Sequence, residues 1–252
     1  YEARIVDLRP ATEQDRKRME AQAAMGEGDA LRVRRTEESL QKALSAYERA
    51  AALSREVEDR HREANALDNI ARVYRMLGDN RKAVEYYQQT LALDKVTGNR
   101  DREAATLNNI GSAYATLGEH QKALEYDQQA LLLERATGDR RGEVATLNNL
   151  AGVYSDLGEN QKALESYQQA LSLERTVGDK AAECAILDGI GFLYEVMGEY
   201  QKALEYYDQS LSVARAAKSQ NDEAYALGNI GMVYLKLGEK QKALEYFQPV
   251  SY

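Results

Sequence analysis

The sequence has no tryptophan, two phenylalanines, two prolines, two histidines and one cysteine in 252 residues. Each shortage excludes something. Turn-rich β-sandwiches, collagen-like segments and disordered linkers use more proline than this, so the composition favours long helices. A single cysteine, Cys184, cannot close an intrachain disulfide, which leaves the redox compartment open. Positive charge is also short: 33 Lys and Arg against 41 Asp and Glu leave a net charge of −8, without the basic excess that nucleic-acid backbones attract. No apolar run approaches the roughly 20 residues needed to cross a bilayer, and no basic-then-apolar export signal opens the chain. The expected setting is soluble, with the cytoplasm favoured and no nucleic-acid or membrane partner. Because the chain starts at Tyr1 rather than Met, its natural start is expected to lie upstream, where an export signal stays open.

What is present is 44% apolar and 29% charged residues, enough for a core, with 17 tyrosines in the aromatic role. The order of these residues carries more than their number. Gly78, Gly118, Gly158, Gly198 and Gly238 recur every 40 residues, as do Tyr74, Tyr114, Tyr154, Tyr194 and Tyr234. Residues 107–140 read LNNIGSAYATLGEHQKALEYDQQALLLERATGDR, and residues 147–180 repeat the pattern. Leu107, Ile110, Gly111 and Tyr114 fall at i, i+3, i+4 and i+7, one apolar face of a first helix, with a glycine where a neighbouring helix must come close. Ala123, Leu124, Ala130, Leu131 and Leu133 line a second helix, and Gly118 supplies the turn between the two. A helix pair this thin buries its apolar face only by stacking, which predicts an all-α solenoid with one concave and one convex surface.

The Leu107, Ile110, Gly111, Tyr114, Ala123 and Ala130 pattern resembles the tetratricopeptide repeat, whose usual unit is about 34 residues. The 40-residue unit and the LNN signature are similar to kinesin light chains and Pins-type polarity proteins. That resemblance implies a right-handed solenoid of antiparallel helix pairs that binds an extended peptide in its concave groove. Five units span residues 60–252, the last cut short at Pro249, where QPVSY is either a scar or a genuine end. Residues 11–59 read as a degenerate capping repeat, with Thr12 and Asp15 as a capping box, a second helix over residues 37–58, and a first helix that has lost the glycine and tyrosine. Residues 1–10 alternate enough for a strand remnant of an upstream domain. RPATEQDR ahead of these repeats resembles the region upstream of bacterial CHAT-type caspase-like proteases, which implies a covalently linked protease domain outside this chain.

The chemistry-bearing residues argue against an enzyme. Cys184, His61 and His120 are too far apart in a solenoid to form a nucleophile and base, and two histidines without a cysteine cluster make no metal site. No phosphate-binding glycine loop occurs, so no cofactor is expected. Cys184 reads as a small core residue, and the QKALE runs as a convex, solvated face. Asp127 stands out because it occupies the register of Tyr87, Tyr167, Tyr207 and Phe247; the expectation is a partly wet edge where Tyr126 takes over the packing.

Function then falls to the concave face. Asn69, Asn109, Asn149 and Asn229 recur on it, with Gly189 interrupting the series, and a carboxamide can both donate to and accept from an extended backbone. Asn108 and Asn148 point to the same side. The alternative is that these asparagines bond within the array. Around the ladder, Asn65, Asp68, Arg72 and Arg75 lie at the N-terminal end, Ser112 in the middle, and Phe192, Tyr225, Met232 and Leu235 toward the C-terminal end. The expected ligand is a peptide or protein with an acidic or polar part near Arg72 and Arg75 and apolar anchors near Phe192 and Met232. The competing reading for the apolar residues is an interface with a missing part of the same polypeptide.

Overall fold

The computed structural model describes residues 10–247, and every regular element among them is an α-helix. The expected strand over residues 1–10 and the helix break at Pro249 lie essentially outside the described residues. The chain divides between Glu119 and His120 into two compact units. The first holds α1 (Glu13–Arg32), α2 (Glu37–Glu56), α3 (Arg60–Met76), α4 (Asn80–Thr97) and α5 (Arg100–Thr116). The second holds α6 (His120–Thr137), α7 (Arg140–Asp156), α8 (Asn160–Val177), α9 (Lys180–Val196), α10 (Tyr200–Ala217), α11 (Gln220–Lys236) and α12 (Lys240–Phe247). Within each unit every helix packs on the next in sequence, the stacked helix pairs that the repeat predicts.

The repeat is cut into helices by its own side chains. Asp59, Asp79, Asn99 and Asp139 each accept the backbone N–H three residues on, and Thr12 and Asp15 form the reciprocal capping box. Gly98 and Gly178 close their helices at φ 69° and 90°. Glu58 takes the same left-handed conformation without being glycine, so α2 ends at Glu56 rather than Glu58. Across these turns, Arg55–Glu63 (2.7 Å), Arg135–Glu143 (2.7 Å), Arg175–Glu183 (3.2 Å) and Arg215–Glu223 (2.8 Å) repeat one ion pair from each second helix to the following first helix. Their arginines are largely exposed, which holds the contribution of each pair to the order of 1 kcal/mol, although Glu63 and Glu183 are buried.

The cores are built from the apolar faces read in the sequence. Leu40, Tyr47, Leu67, Ile70 and Val73 are buried in the first unit, and Leu147, Tyr167, Leu187, Ile190, Leu193 and Tyr207 in the second. Burying each such side chain contributes roughly 1.5–3 kcal/mol. At Gly191 and Gly231, what comes close is a ring rather than a neighbouring backbone. A Cβ on Gly191 would stand 2.6 Å from the Tyr207 ring, and one on Gly231 2.7 Å from Phe247. The first helix of the degenerate repeat has not lost this device. Gly28 receives the Tyr47 ring, three residues further from its partner than Gly191 is from Tyr207.

Asp127 is the departure from the pattern. Helix α6 begins forty residues after α4 and forty before α8, so the register holds, yet Asp127 is 0% exposed and neither carboxylate oxygen has a hydrogen-bond partner. The wet edge expected from sequence is absent. Burial, followed by the charge of Glu134 two turns along the same helix, pushes the Asp127 carboxyl up to about 8. Burial also pushes Glu134 up to about 7, although the Thr146 hydroxyl donates to it at 2.9 Å. A protonated carboxyl is far cheaper to bury than an anion. In the unfolded chain these groups ionise near pH ~4. Between that value and their folded values the unfolded state binds fewer protons, so their contribution is fully present below about pH 4 and is lost as pH rises toward 8. Asp127→Asn should therefore raise stability at pH 8 by on the order of a few kcal/mol and by much less at pH 5. Melting curves at the two values check this; an equally steep pH dependence in the variant would clear Asp127.

Candidate binding face

In the first unit, the exposed stripes of α3 and α5 carry the residues singled out above. Arg72 pairs with Asp68 at 2.8 Å, one turn away on α3. Arg75 donates to the Ser112 hydroxyl on α5 at 3.0 Å. Arg72, Arg75 and Asn109 line an open pocket of 520 Å³ together with Arg32, Asn80 and Tyr87. Arg32 has no register in the degenerate first repeat that would place it here, and Tyr87 occupies a core register yet reaches the pocket. The Tyr87 ring is fully buried, with its hydroxyl beside Arg75, and burial and then the Asp68 charge raise its pKa. The pocket presents three guanidinium groups. Arg32 and Arg72 are partly countered by Asp29 (3.7 Å) and Asp68, whereas the partner of Arg75 is a neutral hydroxyl.

In the second unit, α9 lies beside both α7 and α11. Phe192 on α9 is 55% exposed, and Tyr225 and Met232 on α11 are 70% and 47% exposed, with Leu235 nearby in sequence at 43%. Tyr225 and Asn229 line a shallow depression of 330 Å³ along α11. Asn148 lines a separate pocket of 190 Å³ between α7 and α9. The series Asn69, Asn109, Asn149 and Asn229 is half-buried throughout. Asn65 and Asn229 have partners inside the array. Asn65 accepts a hydrogen bond from Arg102, and Asn229 reaches the carboxyl of Asp188, which burial pushes up to about 6. Cys184 is 1% exposed with its thiol against the Ser210 carbonyl at 3.6 Å, and burial raises its pKa, the unreactive direction. Among the described residues no cluster of three or more His, Cys, Asp or Glu could hold a metal, and no helix is long and apolar enough to cross a membrane.

The tetratricopeptide repeat family matches residues 32–95, 102–175 and 183–248. No curated protein sequence matches the chain. Among solved structures, BtubC (BKLC) from P. vanneervenii is 20% identical over 94% of this chain and 89% of that one, with a TM-score of 0.66. A kinesin-light-chain-type protein of nearly identical TPR-like repeats from Podosopora anserina is 21% identical, covering 79% of this chain and 98% of that one, at 0.65. NprR, solved in complex with its cognate peptide NprX, is 20% identical over 91% of this chain and 65% of that one, at 0.64. At these identities the likeness is one of fold.

Gly189, where the asparagine series breaks, has the Tyr167 ring seated against it, although Asn69, Asn109 and Asn229 stand at the same 22-residue offset from Tyr47, Tyr87 and Tyr207. A Cβ there would stand 2.7 Å from the Tyr167 ring, too close for any side chain without a shift. Gly189→Asn would complete the series on paper, yet it should lower stability by about 1–3 kcal/mol through overpacking. A thermal melt at or above that of the parent chain would refute this.

Proposed function

The chain belongs to the tetratricopeptide repeat family, and on that footing we propose that it is a non-catalytic scaffold whose first-helix faces hold a peptide or a segment of a partner protein. The observation that carries this reading is the pocket where Arg32, Arg72 and Arg75 meet Asn109 and the Tyr87 hydroxyl. Clustered guanidinium groups bind carboxylates by charge-assisted, two-pronged hydrogen bonds, which selects an acidic segment. The exposed Phe192, Tyr225 and Met232 of the second unit offer apolar anchorage of the kind that dominates binding energy. The fold shared with NprR, solved with its cognate peptide, supports peptide binding in general. The narrower alternative, a regulatory arm of a CHAT-type protease, rests on the resemblance of RPATEQDR and its following repeats; the same face would then meet a catalytic domain of its own polypeptide.

Selection from a random peptide library displayed on phage tests the proposal. The recovered peptides should be enriched in Asp and Glu together with apolar residues. Arg72→Ala with Arg75→Ala should weaken them at least tenfold and flatten their salt dependence, since such charges act largely through association rate. Phe192→Ala should cost more than about 2 kcal/mol if it is an anchor. Peptides indifferent to all three substitutions, or no enrichment, would remove this face from the function.

A further inference from the structure

The pocket between α7 and α9 has a counterpart in the first unit that is already filled. There, Arg102 at the start of α5 donates from Nε to Asp94 Oδ1 at 2.8 Å, while Thr106 donates to the other oxygen at 2.9 Å. The same guanidinium donates to the Asn65 side chain on α3, and its charge acts on Asp68 one turn further along. Asp94 is 1% exposed, so the arginine is the counter-charge of a buried carboxylate.

Two repeats further on, each of these positions has changed in one direction. Arg102 becomes Ala182, Asn65 becomes Ala145, Asp68 becomes Asn148 and Thr106 becomes Ile186. The carboxylate alone is kept, as Glu174, which is 2% exposed. All five residues line the 190 Å³ pocket. Removing an arginine and shortening an asparagine has opened space around an acid that no cation among the described residues pairs with. The acid is also held in place. Glu174 Oε1 accepts the Asp179 N–H at 2.7 Å, whereas in the first unit the equivalent N–H of Asn99 bonds the backbone carbonyl of Asp94 at 3.2 Å. Asp179 adds a second carboxylate to the lining, committed to capping α9 through the N–H groups of Ala181 and Ala182. The pocket's one cationic neighbour, Arg141, is exposed on the α7 side.

We propose that this pocket receives an arginine side chain of the bound peptide, whose guanidinium pairs with Glu174 as Arg102 pairs with Asp94. The assignment rests on the peptide-binding reading and names a determinant of its specificity. Arginine is chosen over lysine because the counterpart site seats a planar, multiply donating head between a carboxylate and a carboxamide, and Asn148 supplies a carboxamide here.

Nα-acetyl-arginine N-methylamide is the probe, titrated into the full chain and followed at the backbone amides of Ala145, Asn148 and Ala182. Saturable shifts are expected at all three. The neutral citrulline analogue should bind at least tenfold more weakly, and the lysine analogue severalfold more weakly. Glu174→Gln keeps an oxygen for the Asp179 N–H, so the turn should persist by circular dichroism while affinity falls at least tenfold. Ala182→Arg should abolish probe binding and raise the melting temperature, since it rebuilds the first unit's pair from within. Equal binding of arginine and citrulline, or shifts untouched by both substitutions, would overturn the proposal. So would an Arg141→Ala variant destabilised as much as Arg102→Ala, which would place Arg141 itself on Glu174. Phage-selected peptides that ignore Glu174→Gln would sink the pocket and spare the scaffold; probe binding in the pocket without any peptide ligand would do the reverse.

Discussion

A tyrosine ring seated where a glycine has no Cβ sets the spacing on which the rest of this architecture depends. With Tyr207 on Gly191, Tyr47 on Gly28 and Tyr167 on Gly189, ring atoms lie where a methyl group would have to be. A glycine at that point leaves room for the ring, and the alanine-rich stripes beside the rings are buried. The rings enter from the second helices, so their hydroxyls emerge toward the first. The Tyr47 hydroxyl donates to Asp29 at 2.7 Å, the Tyr207 hydroxyl to Glu195 at 3.0 Å, and the Tyr87 hydroxyl ends at the arginine pocket. A packing residue thereby lines the candidate pocket.

The rest of the repeat protects that contact. Paired tyrosines such as Tyr74 with Tyr86 and Tyr194 with Tyr206 stack at 5.5 Å, and Lys82 and Lys202 lie over Tyr74 and Tyr194 at 5.0 and 5.1 Å. The caps and the ion pairs across the turns repeat at the same period. In such an array stability is close to a sum of local terms, so one altered unit is tolerated if its neighbours hold. Asp127, a buried acid where the other units use an aromatic, is tolerated in this sense, with protonation reducing the cost that ionisation would impose.

The helices, their pairing and their core faces were legible in the sequence because they are periodic, and a pattern copied five times needs no three-dimensional information. What escaped was carried by single departures. Gly28 went unrecognised because it sits three residues out of step. Gly189 read as a gap in a polar series, since the Tyr167 ring that fills its space is 22 residues upstream. Arg32 joined the arginine pocket from the least regular repeat, and Ala182 is unremarkable until set beside Arg102. Even Asn65, chosen by position, is engaged by a neighbouring arginine that its spacing did not announce.

The near-identity of the units bears on how a ligand would find its place. Asn69 and Asn109 in the first unit, and Asn149 and Asn229 in the second, present the same group at multiples of one interval. An extended chain gripped only through its backbone meets several alignments of almost equal free energy, each displaced by one repeat. Such a surface binds but does not index. Under the proposed function, alignment within each unit would be decided where its copies differ, at Arg32 beside Arg75 in the first and at Phe192 and Ala182 in the second, so the irregular positions would give a repetitive protein an origin from which to count.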